Sequence, residues 1–110
     1  MGAEQRIAEL GIVLPEVAKP RWAYVPAVRT GNLVFVSGQI GIVDGGVMHP
    51  GKLGREISVE QGREAARGCA IQALAVMRQA AGSLDNVTRA VKSTVYVASA
   101  EGFGDQPTVA

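Results

Sequence analysis

The chain has 110 residues, of which 47% are hydrophobic and 19% charged, a composition typical of a folded domain and not of a disordered chain. Its formal charge of +1 gives no broad basic surface for nucleic acid or anionic lipid. The single cysteine, Cys69, excludes an internal disulfide framework. No apolar run approaches the roughly 18 residues of a membrane-spanning helix. We therefore expect one cytoplasmic domain over residues 1–110, with no membrane partner.

The first half of the chain predicts a short helix followed by a β-hairpin. Residues 3–10 place Ile7 and Leu10 on one side of a helix that ends at Gly11. Residues 22–29 form a strand candidate, which Pro26 confines to an edge or an irregular stretch. A turn at residues 30–32 leads into residues 33–36, which are dense in β-forming side chains.

The second apolar run is interrupted at Ser37-Gly38-Gln39 before residues 40–43 resume it. A glycine inside a strand marks a bulge or a close approach to the backbone. A backbone freed at Gly38 would offer an N–H or C=O to a carboxylate or carbonyl ligand, with Tyr24 as a polar aromatic wall. The residues alone leave both interpretations open. A further turn at residues 44–46 predicts a short return strand at residues 47–48, before a glycine-rich loop.

The strongest pattern is a helix over residues 58–81. Ser58 and Gln61 have capping-box spacing, and Gly82 stands where helices commonly end. Because its apolar stripe is rich in alanine, we expect the helix to lie close against its partner. The stripe consists of Val59, Gly62, Ala66, Cys69, Ala70, Ala73, Leu74, Met77 and Ala80.

The last third predicts a strand and the beginning of a helix. Residues 87–98 alternate, with Val91, Val95 and Val97 on one face and Lys92, Thr94 and Tyr96 on the other. We expect one face of this strand to be buried and one edge to be exposed. Residues 103–110 begin a further helix. The order β, β, β, α, β defines an α+β fold.

Most familiar chemistry is excluded by the residue inventory. One histidine, His49, and one cysteine 20 positions later provide no set of metal ligands. Cys69 is expected to be a buried apolar residue and His49 an exposed loop residue, so we discount a catalytic pair. The glycine-rich loop lacks the strand–helix context of a phosphate-binding motif. A cluster of basic and aromatic side chains between residues 19 and 29 has the composition of single-strand binders, but we interpret it as a strand and its flanks.

The sequence resembles the RidA/YjgF family, formerly grouped as L-PSP endoribonuclease proteins. The most specific stretch is Gly-Asn-Leu-Val-Phe-Val-Ser-Gly-Gln at residues 31–39. Residues 24–28, 81–87, 95–97 and Phe103 also carry the resemblance, which covers most of the chain after residue 20.

The resemblance implies a chorismate-mutase-like fold, in which a mostly antiparallel sheet carries helices on one face. It also implies a homotrimer with ligand clefts between subunits. Well-studied members hydrolyse reactive 2-imino or enamine acids to 2-keto acids and ammonia without a cofactor. The implied ligand is such an acid or a similar carboxylate, and nucleic acid is not an expected partner.

Carried over by position, the substrate-binding residues are Tyr24, Ser37, Gly38, Ile40 and Phe103. The family's arginine and glutamate lie beyond Ala110, so we expect this chain to represent about the first two thirds of the family domain, and its catalytic residues are unassigned. Pro107 stands near the position of a family asparagine. Three functions follow in order: an imine or enamine deaminase, a non-catalytic binding trimer of the same fold, and an endoribonuclease.

Overall fold

A computed structural model describes residues 2–110. The helices are α1 (Ala3–Glu9), α2 (Val59–Ala81) and α3 (Gln106–Val109), and the strands are β1 (Ala27–Thr30), β2 (Leu33–Val36), β3 (Ile42–Val43) and β4 (Gly46–Val47). A 3-10 turn follows α2 at Leu84–Asn86. The chain divides into two units: one runs to Gln39 and includes Ile71–Val91, and the other comprises Ile40–Ala70 and Lys92–Ala110.

The predicted first hairpin is confirmed. β1 and β2 pair antiparallel with Thr30 opposite Leu33, so the loop is the two residues Gly31 and Asn32. Gly31 has a φ of +54°, which fits the first loop position of a type II′ turn. The strand begins only at Ala27, directly after Pro26. Tyr24 therefore lies before the strand and not on it, because a proline cannot donate to the ladder.

The second hairpin is short but regular. β3 and β4 pair with Val43 opposite Gly46, around the loop residues Asp44 and Gly45. Both have positive φ, +50° and +77°, which is the requirement of a type I′ turn and explains the Asp-Gly pair. Ile40 and Gly41, which the sequence assigned to this strand, lie outside it.

Helix α2 has the predicted capping box. The Ser58 N–H donates to Gln61 Oε1 at 3.0 Å, and the Gln61 N–H donates to Ser58 Oγ at 3.2 Å. Gly82 follows the helix with a φ of +81°. The predicted stripe is wrong at Ala70, which is exposed, and it omitted Ala75 and Val76, which are buried. The helix thus buries different sides along its length.

The unit that contains the start of α2 has a small apolar core. Leu53, Ile57 and Val109 are buried together, with four half-buried residues packed against them: Val59, Ala66, Val97 and Phe103. Glycines bring α2 close to the segment before β3. A Cβ on Gly41 would lie 2.9 Å from the Ala65 carbonyl oxygen, and one on Gly68 would lie 3.1 Å from Gly41 Cα. Neither Ala65 nor Gly68 belongs to the predicted stripe. Within the stripe the close approach is at Gly62, where a Cβ would lie 2.8 Å from Leu53 Cδ1.

The predicted strand over residues 87–98 is not formed within residues 2–110. Leu53 and Ser99 make an isolated parallel bridge just beyond it, and Val91 and Tyr96 are 70% and 93% exposed. Alternation specifies two faces, but a strand also needs a hydrogen-bonded neighbour, and here no ladder forms along residues 87–98. The expected burial of Val91 and Val95 is therefore wrong, whereas Val97 is half-buried.

In the other unit, α1 is anchored by a polar cluster. Glu4 accepts hydrogen bonds from Arg78 Nη2 at 2.7 Å and from the Leu84 N–H at 3.1 Å. The Glu4 N–H in turn donates to Asp85 Oδ1 at 3.0 Å. Arg78, which lies outside the predicted apolar stripe of α2, is half-buried in this ion pair. The cluster joins the first turn of α1 to the end of α2.

Candidate functional site

The loop after β2 is tied to the segment that carries Tyr24. Ser37 Oγ donates to the Val25 carbonyl oxygen at 2.5 Å, and the Ser37 N–H donates to the Pro26 carbonyl oxygen at 2.9 Å. Tyr24 itself is 49% exposed, and its hydroxyl makes no hydrogen bond with residues 2–110. The arrangement leaves a phenol hydroxyl and a fixed loop on the same stretch of chain.

Gly38 has an open backbone. Neither its N–H nor its carbonyl bonds to another residue of the described chain, and nothing lies within 4 Å of where a Cβ would stand. The residues on either side of Gly38 are joined to each other, because Gln39 Nε2 donates to the Ser37 carbonyl oxygen at 3.1 Å. Gly38 lies outside the strands, so the β-bulge interpretation is wrong. A ligand has room to approach this peptide and finds a free donor and a free acceptor there.

Ile40 and Phe103 belong to the other unit. Ile40 is exposed, whereas Phe103 is half-buried and packs against the core of its unit. Its ring is close to the Gly54 backbone, since a Cβ on Gly54 would lie 3.0 Å from a ring carbon. The structure therefore groups Tyr24, Ser37 and Gly38 in one unit, and Ile40 and Phe103 in the other.

The chain around Phe103 is held by a residue that the sequence analysis missed. Gln106 Nε2 donates to the Phe103 carbonyl oxygen at 2.9 Å and to Ser99 Oγ at 3.2 Å. Ser99 Oγ donates onward to the Val97 carbonyl oxygen at 2.9 Å. A glutamine beside Pro107 is the only sequence signal for this network. Pro107 itself lies in the first turn of α3, where a missing N–H costs nothing.

In the described chain His49 contacts Glu64 and makes no hydrogen bond with Cys69. His49 Nε2 lies 3.2 Å from Glu64 Oε2, and the side chain is half-buried, not exposed as the sequence predicted. Cys69 is also only half-buried. Residues 2–110 contain no group of three His, Cys, Asp or Glu side chains that could hold a metal ion.

Two carboxylates are stabilised in their charged form. The hydrogen bond from Arg78, followed by that from the Leu84 N–H, lowers the pKa of Glu4. The hydrogen bond from the Lys52 N–H, at 2.9 Å, is the main cause of the lowered pKa of Glu56. Both groups lie outside the predicted substrate-binding residues and act as anchors of local structure.

A groove with a volume of about 610 Å³ runs along the exposed side of α2. Its charged lining has two arginines and two glutamates, and Ala70 and Val95 contribute apolar surface. The charged residues are Glu60, Arg63, Glu64 and Arg67. None of the predicted substrate-binding residues lines this groove.

Within residues 2–110, no helix combines the length and the apolar character needed to cross a bilayer.

Comparison with known proteins identifies the family. Residues 4–100 match the family described as "YjgF/chorismate mutase-like, putative endoribonuclease". The chain belongs to this family and has its α+β fold.

Individual relatives agree with this assignment. The chain is 42% identical over 104 residues to Protein TCP17 of Trypanosoma cruzi, a match that covers 94% of this chain and 65% of that protein. A crystal structure described as a putative endoribonuclease of Shewanella oneidensis superposes with a TM-score of 0.87 at 26% identity, covering 99% of this chain and 72% of that one. Protein Atu1372 of Agrobacterium tumefaciens, described as of unknown function, gives a TM-score of 0.85 at 37% identity, with 96% and 65% covered. The chain thus spans about two thirds of the length of these relatives.

Proposed function

We propose that the whole protein hydrolyses reactive 2-imino or enamine acids to 2-keto acids and ammonia. The observation that carries the proposal is the open peptide at Gly38, which presents a free N–H and a free carbonyl next to the tethered Ser37. The reaction class is taken by analogy from the resemblance to the RidA/YjgF family, whereas the description of the matched family names an endoribonuclease.

The proposed reaction needs a held carboxylate and a water delivered to the C=N carbon. The Gly38 N–H would bind a substrate oxygen, and the Tyr24 hydroxyl would line the same site. A guanidinium would suit the carboxylate best because it binds both oxygens at once. In the proposal, that group and the proton-transferring carboxylate come from the family positions beyond Ala110.

The test generates 2-aminoacrylate or 2-iminobutanoate in situ and follows the release of keto acid. The full-length protein should accelerate it, and Tyr24→Phe should reduce the acceleration. Gly2→Ala is a control for damage to the fold, because it crowds the α1 anchor at Asp85 and lies outside the proposed site. Keto-acid release at the spontaneous rate in the presence of the folded full-length protein would remove the deaminase proposal.

A second candidate is a non-catalytic binding trimer of the same fold. Pro107 favours it, since proline has no side-chain donor where deaminase members carry an asparagine. Saturable binding of a stable 2-keto acid without turnover of the imine would support this candidate. Absence of both binding and turnover would contradict both proposals.

We further propose that the protein is a homotrimer that acts in the cytoplasm. The apolar side chains Val28, Leu33 and Phe35 share one face of the β1–β2 hairpin and are all exposed. A contiguous apolar face of this kind is typical of an interaction surface. Sedimentation velocity measures the assembly directly, and a monomer at micromolar concentration would contradict it.

A further inference from the structure

We propose that a small oxyanion, a carboxylate or phosphate group, binds in a pocket at the turn of the β1–β2 hairpin. The pocket has a volume of about 260 Å³ and is lined by Arg29, Asn32, Val34, Asn86 and Thr88. All five residues belong to one unit of the chain. None is a predicted substrate-binding residue, so this site does not depend on the function proposed above.

Arg29 is already oriented for the ligand. Its Nε donates to the Gly31 carbonyl oxygen at 3.1 Å, which ties the guanidinium to the hairpin loop. Its two terminal nitrogens make no hydrogen bond or ion pair with residues 2–110. A guanidinium with two free terminal nitrogens binds a carboxylate or phosphate through two parallel hydrogen bonds.

The remaining walls add neutral polar groups. The side-chain amide of Asn32 and the hydroxyl of Thr88 make no hydrogen bond within the described chain. The Asn86 side chain is fixed, because its Nδ2 donates to the Ala81 carbonyl oxygen at 2.9 Å. The lining contains no carboxylate, so the charge of Arg29 is not compensated within the pocket. One cation with amide and hydroxyl donors around it selects a small anion over a cation or an apolar ligand.

Titration of the protein with inorganic phosphate, and separately with acetate, tests the site. Backbone amide shifts are followed by NMR at constant ionic strength, which removes general screening effects. At least one anion should give saturable shifts at Asn32, Asn86 and Thr88, and comparison of the two arms shows which oxyanion is preferred. Arg29→Gln should weaken binding by about tenfold or more, because it removes a charged hydrogen-bonding pair.

Arg21→Gln is the matched control, since Arg21 is exposed in the same unit and does not line the pocket. It should leave the affinity unchanged. Thr88→Val should weaken binding several-fold, because it removes a hydroxyl of the pocket. This variant tests the site even where Arg29→Gln disturbs the hairpin. Shifts that stay linear with both anions, or an equal loss of affinity in Arg21→Gln, would overturn the proposal.

Discussion

Two glycines between β2 and β3 have opposite surroundings although they are three positions apart. A Cβ at Gly38 would meet nothing within 4 Å, whereas a Cβ at Gly41 would lie 2.9 Å from a backbone oxygen of α2. Both occur in the same Ser-Gly-Gln-Ile-Gly stretch, in which the sequence singled out Gly38 as an interruption and placed Gly41 inside a strand. The two glycines differ because α2 packs against Gly41, whereas the peptide of Gly38 is left accessible.

We expect Gly41→Ala to lower the free energy of unfolding by about 1–3 kcal/mol, since the backbone or α2 must shift to admit the methyl group. Gly38→Ala should leave it nearly unchanged. Urea denaturation of both variants measures the difference. An unchanged free energy of unfolding in Gly41→Ala would show that α2 does not constrain Gly41. A loss of keto-acid production in Gly38→Ala at full stability would support the proposed site.

At Glu4 the expected effect depends on pH. The pKa of Glu4 is lowered in the folded protein from its ordinary value of 4.5, chiefly by the hydrogen bond from Arg78. Its stabilising contribution is therefore present above that ordinary value and is lost as the pH falls through the folded pKa. Glu4→Gln should lower the Tm at neutral pH, and the difference from wild type should shrink in acid.

The same experiment on Glu9→Gln is the control, because both contacts of Glu9 are exposed: an i,i+3 pair with Arg6 and a 3.4 Å hydrogen bond accepted from Gln5 Nε2. A Tm difference for Glu4→Gln that stays constant with pH would contradict the assigned role of the carboxylate.

The Glu4–Arg78 contact joins residues 74 positions apart, so no local pattern in the sequence predicts it.

At the scale of elements, α2 depends on its capping box. Ser58→Ala removes one of two reciprocal bonds at the helix start and should cost about 1 kcal/mol. Ser93→Ala is the matched control, since Ser93 is exposed and its hydroxyl has no hydrogen-bond partner within residues 2–110. Thermal unfolding followed by circular dichroism compares the two. Equal Tm values would mean that the box does not contribute.

Elements with local signals could be predicted from the sequence. The cap at Ser58, the stop at Gly82 and the turn at Gly31 each depend on residues only a few positions apart. The segment over residues 87–98 could not be predicted in this way, because alternating apolar and polar side chains do not specify which strand will pair with it. Tyr24 was misplaced for a similar reason: aromatic and β-branched neighbours favour a strand, but Pro26 delays its start to Ala27.

At the scale of the molecule, self-association is the expected consequence of the apolar hairpin face. Val28 and Phe35 are paired across the strands and are 54% and 59% exposed. Phe35→Thr keeps a β-forming residue and removes most of the apolar area, so it should weaken assembly. Sedimentation velocity over a concentration series checks this, with the exposed Val13→Thr as control. An unchanged assembly in Phe35→Thr would place the interface elsewhere.

Leu53 joins two distant parts of one unit through its backbone. Its N–H donates to the Ala98 carbonyl oxygen at 2.8 Å, and its carbonyl accepts from the Ala100 N–H at 2.9 Å. Because closing this loop of about 45 residues carries an entropy cost that both bonds share, we expect the two bonds to form and break together. In hydrogen–deuterium exchange, the Leu53 and Ala100 amides should therefore exchange at the same rate and lose protection at the same denaturant concentration. These two protons would report when the segment after α2 folds onto the glycine-rich loop.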